Sequence, residues 1–157
     1  VNYQSNADFA KSLYPQVKNI LAKNAMIFIS LRESTFDEDT KNATDFVVEI
    51  KGGDVAVRTR RNNTAYRDFT LRSACGRSVT ELQKIKSGFA RWYLYGWTDN
   101  NSIISEYIIV DLDKVRQCKL LDNRKETINK DGYTKFIAIP ISELRDNCCL
   151  VAEFVKK

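Results

Sequence analysis

From Asn6 to Asn24, apolar Phe9, Leu13, Val17, Ile20 and Leu21 recur at spacings of three and four, which predicts an amphipathic helix. Pro15 falls inside it, so the helix either kinks there or begins a second segment with proline in its first turn. The apolar run Ala25–Leu31 predicts a strand. The acidic stretch Ser34–Asp39 predicts a turn that caps a short helix ending near Asn42. Residues 45–50 and 55–61 alternate in the β manner on either side of Gly52-Gly53, which predicts a hairpin. With the two glycines as the loop, Ile50 faces Val55, Val48 faces Val57 and Phe46 faces Thr59 on the core side. Asp45 then lies across from Arg60, and Glu49 across from Ala56 beside Arg58, on the other face.

A third strand fits 68–73, with Phe69 and Leu71 inward and Asp68, Thr70 and Arg72 outward. Ser78-Val79-Thr80-Glu81 has the form of a capping box and opens a helix through Lys86, stopped by Gly88. Residues 91–97 form a fourth strand; alternation puts Trp92, Leu94 and Gly96 on one face and Tyr93, Tyr95 and Trp97 on the other. At least one of those aromatic sets belongs to the core, and the other is a candidate for stacking on unpaired bases. Further on, the pattern predicts a strand near 106–110, a helix over 111–121, a turn at 129–132 and a strand over 133–141. A helical turn capped by Ser142 and a last strand over 149–154 complete the chain.

There is no repeat and no Pro/Gly/Ser-rich linker, so residues 1–157 are read as a single domain of mixed α/β (α+β) class. No apolar stretch approaches the ~20 residues of a membrane span, and no signal-like segment opens the chain. Cys75, Cys118, Cys148 and Cys149 form no C-x-x-C pair; the vicinal pair reads as two small buried residues, and reduced thiols imply the cytoplasm. The chain has no histidine, which excludes Ser-His-Asp and Cys-His nucleophilic machinery, His-bearing zinc motifs and any His general base.

Net charge is +5, concentrated between Lys51 and Trp97, where ten cations face only Asp54, Asp68 and Glu81. Seven of those cations are arginines, the side chain suited to bidentate contact with phosphate. Arg58, Arg60, Arg61, Arg67, Arg72, Arg77, Lys84 and Arg91 are therefore the candidate nucleic-acid-binding set, with DNA preferred to RNA as partner.

The segments Ala43-Thr44-Asp45, Val55–Arg61, Tyr66–Ser73, Thr80–Ile85, Trp92–Trp97 and Asp131-Gly132 resemble a family of small tailed-phage and prophage proteins. The element order, helix, three strands, helix, strand, is in turn similar to the PD-(D/E)xK nuclease core, one central mixed sheet flanked by helices. That resemblance implies a Mg²⁺- or Mn²⁺-dependent nuclease in the cytoplasm of a host cell. Asp45, Asp68 and Glu49 would be the metal ligands, and Asp45, Asp68 and Arg60 the catalytic set. The chain departs from that pattern where an acid-x-lysine pair is required, since it reads Arg58-Thr59-Arg60 there. Two readings stay open: an active metal-dependent hydrolase, or a non-enzymatic basic module that binds nucleic acid or an acidic surface on a host protein.

Overall fold

The computed structural model describes residues 3–43, 45–61 and 67–155; Thr44 and Tyr66, which carry part of the family resemblance, lie outside them. The chain is a mixed α+β fold of six helices and nine strands among the described residues. Its centre is a four-stranded sheet in the order β3 (Val55–Arg60), β5 (Trp92–Thr98), β6 (Ile104–Asp111), β9 (Leu150–Phe154). β3 runs parallel to β5, and the other two pairings are antiparallel.

All seven residues of β5 are buried. A strand buried on both faces must satisfy its backbone groups on both edges, and β3 and β6 supply those two ladders. Alternation along β5 is as the sequence predicts, but both aromatic faces are core. Trp92 and Leu94 pack with Val17 and Ile20 of α2 (Tyr14–Lys23), and Tyr93, Tyr95 and Trp97 with Phe69 and Leu71 of β4 (Asp68–Ala74). No β5 aromatic is open to a base. The long N-terminal helix is two helices, α1 (Tyr3–Ser12) and α2, with Pro15 in the first turn of the second.

The predicted hairpin does not form. β2 (Phe46–Ile50) pairs antiparallel with β1 (Ile29–Glu33), so that Ile50 meets Ile29 and Val48 meets Leu31. The segment 25–28, predicted as strand, is a 3-10 turn leading into β1. Instead of turning β2 back onto β3, the Gly52-Gly53 segment runs past the start of β5, where the amides of Arg91 and Trp92 both donate to the carbonyl of Asp54, at 2.9 and 3.2 Å. Gly53 has φ +150°, and a Cβ there would stand 2.8 Å from Cβ of Arg91. Gly53→Ala is therefore expected to destabilise the fold by about 1–3 kcal/mol, read as a lower urea midpoint at unchanged slope.

β4 belongs to a different sheet, in the order β4, β8 (Lys135–Pro140), β7 (Thr127–Ile128), which covers the Tyr93 face of the central sheet together with α4 (Glu81–Lys86), α5 (Leu112–Gln117) and α6 (Ile141–Asp146). Phe69 and Leu71 are fully buried, as predicted, but Thr70, expected on the outward face with Asp68 and Arg72, is buried as well, because the edge of β3 reaches it. Two end signals moved. The capping box is Thr80 with Gln83 rather than Ser78 with Glu81, because the Glu81 carboxylate is taken elsewhere. Asp111 caps α5, and α6 starts after Pro140 with no side-chain cap from Ser142. Of the vicinal cysteines only Cys149 is buried; Cys148 is exposed at φ +54°. No described helix is long and apolar enough to cross a membrane.

The polar face of the β1–β2 ribbon is tied to α3 (Phe36–Asn42) through Arg32. Arg32 bonds both carboxylate oxygens of Glu38, at 2.9 and 3.0 Å, and one of Glu49 at 2.8 Å. The Arg32 guanidinium, then the Thr35 amide, hold the Glu38 carboxyl down from 4.5 to about 2. A depressed carboxyl contributes stability above its ordinary value and loses it as pH falls through the folded value. An NMR titration of the Glu38 carboxyl carbon is accordingly expected to show a midpoint near 2, abolished in Arg32→Gln, where the carboxyl returns toward its ordinary value.

Candidate functional site

The central sheet and the sheet that covers it meet where the free edge of β3 lies beside the free edge of β4, and side chains rather than a ladder join them. Arg58, from β3, donates to the carbonyl oxygen of Thr70 at 3.0 Å and to Oε2 of Glu81 at 2.6 Å. Arg60, two residues on and on the same face, donates to Oγ1 of Thr70 at 2.6 Å, and that hydroxyl lies 2.9 Å from the hydroxyl of Tyr95. Arg60 also stands over the Tyr95 ring, 5.7 Å from its centroid.

Glu81, at the first turn of α4, is the hub. Its Oε2 accepts from Arg58 and from the amide of Arg72 at 3.1 Å, and its Oε1 accepts from the Tyr93 hydroxyl. The Arg58 and Glu81 side chains are only 27% and 24% exposed, so this pair is far drier than a surface ion pair. Burial works against the charge on Arg58, but Tyr93 and Glu81 outweigh it and its pKa is raised. Burial also lifts the Tyr93 hydroxyl well above its ordinary range; Arg58 opposes this and Glu81 adds to it, so the phenol stays protonated and donates.

This network walls two adjoining clefts. One, of about 270 Å³, is lined by Arg58, Arg60, Thr70, Arg72, Asn129 and Phe136. The other, of about 520 Å³, shares Arg58 and Arg72 and continues past Glu81 to Lys84, Val79 and Phe89. Four cations and one carboxylate, Glu81, line the combined groove. Arg72 and Lys84 are exposed, and Arg72 also helps to hold the Asp131 carboxyl low, after the hydrogen bonds from Thr134 and Tyr133.

The predicted basic set is thereby sorted. Arg58, Arg60, Arg72 and Lys84 are gathered; Arg77 sits on the neighbouring turn, lining a shallow hollow with Ser78 and Gln83. Arg61 stacks on Phe9 of α1 at 4.3 Å. Arg67 is bound to Glu106 at 2.5 Å and lies over Trp97. Arg91 pairs with Asp113 at 3.5 Å and covers Trp92. The last two serve the core and its rim.

The metal set is not gathered. Asp45 precedes β2 in the ribbon, Asp68 opens β4 opposite Pro140, and Glu49 is held by Arg32. Among the described residues no three carboxylates or thiols come together as a metal site, so Asp45, Glu49 and Asp68 do not fit Mg²⁺ or Mn²⁺ as a common set. The ion pairs expected from the hairpin register, Asp45 with Arg60 and Glu49 with Arg58, are likewise replaced by Arg60 with Thr70 and Arg58 with Glu81.

Sequence reading missed Glu81, Tyr93 and Phe89. Glu81 carried a usable signal, being the only acid between Asp68 and Trp97 in a cationic stretch. Phe89 and Val79, 65% and 67% exposed, carried none. No protein-family model, curated protein or solved structure matches this chain.

Proposed function

We propose that the protein is a non-enzymatic nucleic-acid-binding module whose phosphate contacts are made by Arg60, Arg72 and Lys84. The observation that carries this reading is the groove at the seam of the two sheets, where four cations are set against one carboxylate. Arg58 has a different part: tied to Glu81 and to the Thr70 carbonyl, it holds the wall from which the others project. Guanidinium groups already fixed by hydrogen bonds lose little freedom on meeting phosphate, and Arg60, anchored on Thr70, is in that state. The exposed Phe89 and Val79 in the wider cleft offer an apolar wall to the face of an unpaired base. The reading of the chain as a metal-dependent nuclease is less well supported, since the carboxylates it requires are dispersed over two sheets.

The test is a binding titration on labelled single-stranded, branched and duplex DNA across a salt series, with Mg²⁺ and with chelator. Binding without cleavage, tightest to single-stranded or branched DNA and weakening steeply with salt, is the expected result. Metal-dependent cleavage that Asp45→Ala abolishes would restore the nuclease reading. No affinity at low salt would sink both and leave an acidic protein surface as the partner class.

A further inference from the structure

The thiol of Cys149 is buried in the core with Leu112 and Val115 of α5, and Cys118 stands exposed where that helix ends. α5 is fastened along the corner made by residues 148 and 149. The amide of its cap, Asp111, donates to the carbonyl of Cys149 at 2.8 Å, and Nζ of Lys114 donates to the carbonyl of Cys148 at 3.2 Å. Cys118 lies one turn beyond Lys114, with its amide bonded to the Lys114 carbonyl at 2.8 Å, so the helix face that meets this corner also carries Cys118. There the side chains of Cys118 and Cys149 are hydrogen-bonded to one another.

We infer that Cys118 and Cys149 form a redox-active pair, a modification site at which a peroxide converts two thiols into one disulfide. Exposed Cys118 is the thiol that peroxide reaches. Burial, and then Cys118, push the Cys149 thiol up to about 11, so it stays protonated and does not attack first. The Cys118 thiolate attacks one peroxide oxygen and the O–O bond breaks. The displaced hydroxide takes up the proton that Cys118 lost and leaves as water, and Cys118 is left as a sulfenic acid. The sulfur of Cys149 then attacks that of Cys118: the S–S bond forms, the S–O bond breaks, and the hydroxide leaves as water with the Cys149 proton. Two thiols have lost two electrons, and one peroxide has become two waters. The bond would tie the end of α5 to the residue before β9 and enclose β7, β8 and α6 in a covalent loop, which narrows the unfolded ensemble.

The test treats the reduced protein with a few equivalents of hydrogen peroxide, then maps it by mass spectrometry after digestion without reductant. The expected result is a mass loss of about 2 Da, a fall in titratable thiols from four to two, and one cross-linked peptide pair joining Cys118 to Cys149. The urea midpoint should rise, and dithiothreitol should reverse every change. Cys118→Ser, at an exposed position, should keep the wild-type far-ultraviolet spectrum and form no internal disulfide. Should that variant fail to fold, the wild-type map decides alone. A disulfide joining any other pair of cysteines, Cys118 carried on to sulfinic acid while Cys149 stays a thiol, or four thiols surviving the peroxide overturns the inference.

Discussion

Glu81→Ala is expected to lower the stability of the protein by about 2–3 kcal/mol, the largest loss from any single polar side chain in the groove. The substitution removes the acceptor shared by Arg58, Tyr93 and the Arg72 amide. Arg58 would keep its charge and its bond to the Thr70 carbonyl, but in a setting where only about a quarter of the side chain reaches solvent. Breaking a fully buried pair costs about 3–5 kcal/mol, and the partial exposure here brings the figure down. The cause can be isolated. Arg58→Met/Glu81→Ala removes the orphaned charge as well as its partner, so it should be less destabilised than the sum of its single variants, with a coupling of about 1–2 kcal/mol. Urea denaturation of the four proteins measures this. A Glu81→Ala variant within about 0.5 kcal/mol of wild type would mean that Glu81 is an ordinary surface carboxylate and that the two sheets are held by their apolar core alone.

Arg60→Ala/Arg72→Ala is expected to weaken DNA binding by tenfold or more and to reduce the steepness of its salt dependence by about two phosphate contacts. The control is Arg67→Ala. In the sequence Arg67 is one more arginine of the same basic stretch, but in the fold it is bound to Glu106 and lies over Trp97. It should cost stability and leave the salt slope unchanged. Affinity measured from about 50 to 200 mM salt separates the two outcomes. Equal slopes in all three proteins would remove Arg60 and Arg72 from the binding surface and point to an exposed cation outside the groove, such as Arg77. Arg72 is the cleaner single probe, because it is exposed, whereas Arg60 also orders the Thr70 hydroxyl against Tyr95.

Much of the local structure was legible. The 3.6-residue period of Leu13, Val17 and Ile20, the two-residue period of Phe69 and Leu71, and Gly88 after Lys86 are written in neighbouring residues, and the fold keeps them. The basic groove was legible in part: the arginines were visible, but not which of them would be spent on Glu81, Glu106 and Asp113. The metal set misled because it assumed that β2, β3 and β4 are neighbours, and each of the three pairs with a different strand.

By itself, then, the sequence determined that the chain is a mixed α/β domain with a cationic middle third and no histidine chemistry, and which face of β4 and which of α2 turn inward. The tertiary structure decided everything that depends on partners. Residues 45–50 and 55–60 alternate identically whether they close a hairpin on Gly52-Gly53 or part to join different sheets, since alternation encodes a face and not a neighbour. What tipped the choice lies more than thirty residues away. β5 has no polar face to leave in water and needs a strand on each edge, and β3 satisfies one of them. That one pairing sets β3 beside β4, brings Arg58 and the Arg72 amide to Glu81 and Arg60 to Thr70, and leaves the apolar face of the ribbon outside.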